Sequence, residues 1–282
     1  MVKVASYVFF DIETTGLPHQ ERNKTKIIEL SFVAALRKDL ESATIGSRPY
    51  VSKLTLKLNP QRKIHPQVVI LTGLNNEMLK NAPTFRDKSG TILTFLNDLP
   101  KPVCLVAHNG NRFDFKIFLA ELIDINSSLP DDLLCVDSLI GFRKIHKEKW
   151  PKFSLNTSET NNYYEDSRGS EDWPDLNITP DDWNDIDLLC SSLETVDIND
   201  SPQIHLSKNE SITKFIGENE KITFKLTDIY KRLVKKEIVN AHRAEEDCMM
   251  LLECVVAAKE FLIWTDKYCK SLNHIKPLER YC

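Results

Sequence analysis

Val4-Ala5-Ser6-Tyr7-Val8-Phe9-Phe10-Asp11-Ile12-Glu13-Thr14-Thr15-Gly16 opens the chain with an apolar run that ends in two acids. Val4–Asp11 is short and rich in β-branched and aromatic residues, which predicts a buried strand. Asp11 and Glu13 stand two residues apart, so strand geometry turns both carboxylates to one side. Two adjacent buried like charges are costly without a partner. The plain alternative is that the strand has ended and the acids face water beside the Thr14-Thr15-Gly16 turn.

Further strands are predicted over Ile27–Leu36 and Lys53–Leu58, the latter alternating leucines with Lys53, Thr55 and Lys57. With short connections, the three form an antiparallel meander. Thr84 is a plausible N-cap for a helix through Ile92, Leu93 and Leu96, stopped by Pro100. Val103–Ala107 is a fourth strand, followed by the loop His108-Asn109-Gly110 and a helix that buries Phe115, Phe118, Leu119 and Leu122. A fifth strand is expected at Leu133–Val136, with Ser138 capping the next helix. After an irregular stretch, structure resumes at Phe224–Leu233 and closes with helices over Ala244–Ala257 and Lys259–Leu272. Strands mixed with helices make this an α/β chain.

The chain has 282 residues, 41% hydrophobic and 28% charged, as in a soluble globular domain. Its formal net charge of −4 hides a division. Residues 156–207 hold 13 acids and one base, Arg168, while the remainder is net +8. A basic body suits a polyanionic partner. The acidic stretch carries little apolar surface and is expected to be a disordered insertion at about 156–220, interrupting one domain over 1–272, with a short tail at 273–282. It suits a solvated loop, a partner-binding segment or a DNA mimic, its partner unknown. The seven cysteines contain no C-x-x-C pair, which favours a reducing cytoplasmic or nuclear compartment over a disulfide framework or zinc site. No signal-peptide or membrane-spanning pattern is read at either end, so no membrane partner is expected.

Two more regions place acids beside buried elements. Asp114 follows the fourth strand and begins a helix, where it also suits the helix dipole. His242 and Asp247 stand five residues apart, about 140° round a helix. They converge only if His242 lies on the loop before the helix and Asp247 one turn inside it. Four carboxylates from three regions and one histidine are the inventory of a two-metal phosphodiesterase. Mg²⁺ wants hard oxygen ligands, and two such ions stabilise the attacking and leaving oxygens of an in-line displacement. A histidine suits proton removal from water near neutral pH.

These residues carry a resemblance. Phe9–Pro18, Val106–Phe115 and His242-x-Ala244-x-x-Asp247 resemble the three motifs of the DEDDh exonucleases. Gly16-Leu17-Pro18 and His108-Asn109-Gly110 point to the three-prime repair exonuclease family. The resemblance covers roughly 1–150 and 222–272. It implies a ribonuclease-H-like fold with a mixed five-stranded central sheet flanked by helices. It implies that Asp11, Glu13, Asp114 and Asp247 hold two Mg²⁺ (or Mn²⁺) and that His242 is the general base. By position, Leu17, Pro18, Leu71 and Phe113 match residues packing around the last bases, with Phe113 replacing the usual Tyr. Thr14, the amides of Glu13–Thr15 and Arg112 are candidate phosphate contacts. In the basic stretch Arg143–Lys152, Arg143, Lys144, Lys147 and Lys149 are candidate holders of the DNA backbone, or else a solvated helix end. Family members are homodimers joined through the third strand, here Lys53–Leu58, although its lysines equally suit an edge guarded against pairing.

The expected activity is metal-dependent removal of nucleoside monophosphates from 3′ ends of single-stranded, frayed or mispaired DNA. The alternatives are a 3′→5′ exoribonuclease and a non-catalytic nucleic-acid-binding adaptor that keeps the fold.

Overall fold

The first strand, β1 (Ser6–Thr14), sits mid-sheet because Tyr7, Val8, Phe9 and Phe10 are all 0–1% exposed and must be covered on both faces. The computed structural model describes residues 2–149, 222–238 and 242–280. The expected acidic insertion at 156–220 and residues 150–152 of the basic stretch lie outside the described residues. β1 pairs antiparallel with β2 (Ile27–Leu36), which pairs antiparallel with β3 (Ser52–Lys57). On its other side β1 runs parallel to β4 (Val103–Ala107), which is parallel to β5 (Leu134–Asp137).

Three expectations are corrected here. Among the described residues the sheet has six strands, ordered β3-β2-β1-β4-β5-β6, because β6 (Lys270–Ser271) pairs antiparallel with β5. The closing helix accordingly stops at Tyr268 rather than reaching Leu272. A two-residue strand carries no periodic signal, and only the edge of β5 calls it into being. β1 also runs three residues past its expected end, so both acids lie within the strand.

The two faces of β1 are covered differently. Phe10 packs at 5.0 Å from Phe32 and 5.2 Å from Phe118 between ring centroids. These rings sit under α4 (Phe85–Asn97) and α5 (Asp114–Asp124), helices reached after α1 (Arg37–Ser42), α2 (Pro66–Thr72) and α3 (Asn76–Leu79). Thr84 caps α4 as expected, in a reciprocal box with Asp87. The opposite face presents Tyr7 and Phe9, joined by Val33, Ala35, Cys104 and Val106. That face packs on α8 (Ala244–Ala257) through Cys248, Leu251, Leu252 and Val255, with α6 (Ser138–Lys149), α7 (Leu226–Leu233) and α9 (Glu260–Tyr268) around it.

Alternation then places Asp11 and Glu13 on the α8 face, one and two pleats beyond Phe9. The partners in register, Ser31 opposite Asp11 and Glu29 opposite Glu13, share that face. So do Lys53 and Thr55 of β3. The face is therefore apolar along most of its length and polar at one end, and α8 lies along it with its N-terminus at the polar end. The described part of the expected tail 273–282, up to residue 280, folds back: Leu278 N–H donates to the carbonyl of Lys116 on α5, and Arg280 lies 3.2 Å from Asp124.

Phe118 touches Phe10, Phe32 and Phe85 and is fully buried. Phe118→Ala is expected to cost about 3–5 kcal/mol of stability, read from the midpoint of chemical denaturation. A loss below about 1 kcal/mol would mean this aromatic layer is not the core of the sheet.

Candidate active site

Three elements converge at the polar end of the sheet. β1 and β4 are parallel and finish at the same edge, where ligands gather in open α/β sheets. Asp11 and Glu13 extend there beyond the last β1–β4 pair, Phe9 with Val106. From β4 the chain enters the loop 108–113. Asn109 turns it with φ 60°, and Gly110 lets it pass: a Cβ there would lie 2.6 Å from that of Ala107 and 2.8 Å from the Phe115 ring. Asp114 follows as the first residue of α5 and is 4% exposed.

The third element is the start of α8. His242 takes a left-handed turn, φ 69°, and its N–H donates to the Asp247 carboxylate at 3.1 Å. This is the arrangement the five-residue spacing demands, with His242 before the helix and Asp247 in its first turn. Asp11, Glu13 and Asp247 each bring a carboxylate oxygen within 4.8 Å of the others. Asp114 is outside that tight group but beside it, as the strongest charge acting on Asp11.

The electrostatics follow from this crowding. Burial, then Asp114, Asp247, Glu13 and Glu29, hold the Asp11 carboxyl well above the usual range. Glu13 is pushed up to about 8 by burial and by Asp247, Glu29 and Asp114, with Arg243 pulling down. Burial takes Asp114 to about 8 and Asp247 to about 7, each partly offset by backbone N–H groups. Clustered oxygen donors that repel one another, with no lysine or arginine ion-paired to any of the four among the described residues, fit a hard divalent cation.

The imidazole of His242 is pushed to lower pKa by burial. Among the described residues the ring makes no ion pair or hydrogen bond. Leu17 and Pro18 are half-buried just after β1, Leu71 at the end of α2, and Arg112 and Phe113 in the loop before Asp114. Thr14 is engaged locally. It is buried and its hydroxyl donates to the carbonyl of Gly16 at 3.0 Å, while the amide of Thr15 donates to Lys26. Those groups are consumed by the turn that closes β1. Of the basic candidates, Lys149 pairs with Glu260 at 2.8 Å and Arg143 lies 5.7 Å from the Phe224 ring centre. Lys144 is 4.0 Å from Glu148, and Lys147 is exposed.

Sequence reasoning passed over four residues that hold the site. Asp137, at the end of β5, accepts the N–H groups of Asn109, Asn111 and Leu139 and so pins the loop before Asp114. His108 is held between Ser138 Oγ and the carbonyl of Phe224, both at 2.9 Å. A carbonyl only accepts, so Nε2 carries the proton and Nδ1 accepts from Ser138. Burial takes this ring down to about 4. Glu29 and Arg243 form the remaining pair. A lone acid inside Ile27-Ile28-Glu29-Leu30 was a readable signal, since a buried carboxylate needs a partner.

A mixed sheet with acids gathered at the ends of its parallel strands and on a facing helix defines a ribonuclease-H-like nuclease fold. The profile of the exonuclease family matches residues 8–158, and the chain belongs to that family. Within it the chain is similar to three prime repair exonucleases. It is 32% identical over 154 residues to three prime repair exonuclease 2 of Mus musculus, covering 51% of this chain and 64% of that protein. To three-prime repair exonuclease 1 of Homo sapiens it is 35% identical over 157 residues, covering 51% of this chain and 49% of that one. The matches thus span less than two thirds of those relatives' length. Among solved structures, zinc-bound E. coli exonuclease I in complex with single-stranded DNA superposes with a TM-score of 0.55 at 13% identity, over 93% of this chain and 43% of that chain. Cell-death related nuclease 4 gives 0.52 at 12%, over 92% and 64%. At such identity the likeness concerns the fold.

Carboxyls with raised folded pKa values stabilise the cation-free protein while protonated, and that contribution is lost as pH rises through about 7 to 8. Thermal melting in chelator is therefore expected to fall from pH 5 to pH 8, with added Mg²⁺ raising it more at pH 8 than at pH 5. An equal Mg²⁺ effect at both would contradict a cation seated among these acids.

Proposed function

We propose that this protein is a divalent-metal-dependent 3′→5′ exodeoxyribonuclease, acting on single-stranded, frayed or mispaired 3′ ends and releasing nucleoside monophosphates. The reading rests on one observation above all: Asp11, Glu13 and Asp247 meet within 4.8 Å with Asp114 alongside. The similarity to three prime repair exonucleases favours DNA over RNA.

In this reading Asp11, Glu13, Asp114 and Asp247 hold two Mg²⁺, for which Mn²⁺ substitutes. When bound, the cations supply charge stabilisation for the attacking and leaving oxygens. His242 takes the proton from the attacking water. Its half-buried imidazole is held toward the neutral form by burial, and its backbone N–H is anchored on Asp247. Leu17, Pro18, Leu71 and Phe113, all half-buried, pack against the terminal bases. Arg112 meets a phosphate, and Lys147 and Lys144 track the backbone without sequence preference.

Two copies pair through the edge of β3, which ends the sheet on that side. A cytoplasmic or nuclear setting agrees with five free cysteines among the described residues, four of them buried. No described helix is long and apolar enough to cross a membrane.

Digestion of 3′-labelled DNA and RNA oligomers of one sequence tests the activity. Asp11→Asn is expected to abolish Mg²⁺-dependent shortening of the DNA, and His242→Ala to slow it by about 10²–10⁴-fold. Equal rates for wild type and Asp11→Asn would refute the enzyme reading, and faster RNA digestion would turn it to an exoribonuclease. Sedimentation is expected to give twice the chain mass, and a monomer at micromolar concentration would remove the β3 pairing.

A further inference from the structure

Glu29 is a fifth carboxylate at the site, and it is engaged quite differently from the other four. It stands directly across from Glu13 in the β1–β2 register and is fully buried. Both its oxygens are taken by donors from a single segment. Oε1 accepts from Arg243 Nη2 at 2.7 Å, while Oε2 accepts from Arg243 Nε at 3.0 Å and from the backbone N–H of Ala244 at 3.1 Å. A carboxylate so occupied has little left to offer a cation, and it stands outside the tight group of Asp11, Glu13 and Asp247.

What Glu29 does hold is the start of α8. Ala244 is the first residue of that helix, and the preceding Arg243 gives it no side-chain cap. The orphan first-turn N–H is satisfied from another strand by Glu29, which acts as a cap supplied across the fold. The Arg243 fork adds two parallel bonds, and such bidentate geometry fixes direction as well as distance. The next residue, Glu245, is tied to β3, accepting from Lys53 at 2.8 Å and Thr55 at 2.7 Å. The first turn of α8 is thus fastened to two strands, which sets the helix's rotation about its axis. Asp247 follows within that turn, and rotation decides whether its carboxylate faces Asp11 and Glu13 or turns aside.

We propose that Glu29 and Arg243 are a positioning pair that sets the angle of the α8 N-terminus, so that Asp247 and the His242 turn are in place before any cation binds. The inference rests on the metal-site reading above and deepens it. Arg243 also faces Glu13 and eases its charge. That gives Arg243 two effects of opposite sign on a cation. Its positive charge repels the ion, whereas its fork with Glu29 builds the site the ion needs. The two are separable by experiment.

The test is Mn²⁺ binding to the full chain without DNA, followed by the electron paramagnetic resonance of free Mn²⁺, with far-ultraviolet circular dichroism to verify folding. Arg243→Lys keeps the charge and loses the fork. Glu29→Gln combined with Arg243→Met removes the buried charge together with its partner and leaves no orphaned ion. Positioning predicts that both weaken Mn²⁺ binding, on the order of 10- to 100-fold. Wild-type affinity in either variant, with native dichroism, would overturn the proposal, since the lysine keeps the charge and the double variant removes a neutral pair, so that charge alone would change little. Should the double variant fail to fold, the lysine variant decides by itself. If wild type binds no Mn²⁺, or Asp11→Asn binds as well as wild type, the carboxylate site falls and this proposal with it. If those controls behave and only the pair variants bind normally, the pair alone is refuted.

Discussion

Four carboxylates that repel one another are gathered at one end of a sheet, and most of the surrounding structure serves to keep them there. Asp11 and Glu13 come from a strand, Asp114 from a helix start beyond a parallel strand, and Asp247 from a helix more than a hundred residues later in the chain. Burial and mutual charge raise the pKa of each. Left to themselves, such groups would separate or protonate. They stay together because each is attached to an element whose other side is buried in apolar packing.

β1 is the common support. One of its faces locks into Phe32, Phe115 and Phe118 and so fixes α5, which begins with Asp114. The other lies under the apolar length of α8, which carries Asp247. A single strand thereby aligns two helices whose acidic ends project past its own acids. Local hydrogen bonds then refine what packing sets. Asp137 holds the loop before Asp114 by its amides, His108 ties that loop to Ser138 and to the returning chain at Phe224, and Glu29 grips the first residues of α8.

Most regular elements were legible in the sequence. Ile27–Leu36, Val103–Ala107 and Ala244–Ala257 lie where periodicity puts them, because each is long or apolar enough for its pattern to outweigh its flanks. β6 was not legible, since two residues become a strand only when β5 offers an open edge. The lysines of β3 read as a pairing edge or a guard against pairing, yet Lys53 and Thr55 meet Glu245, a contact that depends on where α8 is laid. The Thr14 hydroxyl donates to the Gly16 carbonyl in a turn whose geometry no spacing reveals. Glu29 carried a visible signal, an acid among isoleucines and leucine, without any sign of its partner.

The sequence by itself determined which groups are available for chemistry: acids placed just past buried apolar runs, a histidine before a helix, and a glycine where the backbone must pass close. These follow from short-range rules, the alternation of a strand and the orphan amides of a helix start, which act within a few residues. Only the tertiary structure decided which of these groups meet. The family match ends at residue 158, yet Asp247 stands within 4.8 Å of Asp11 and Glu13. That meeting is set by the rotation and depth of α8 on the sheet, and those depend on side-chain packing and on the Glu29–Arg243 fork between residues 214 positions apart. No local pattern encodes such a contact, because its energy comes from surfaces that exist only once both elements have formed.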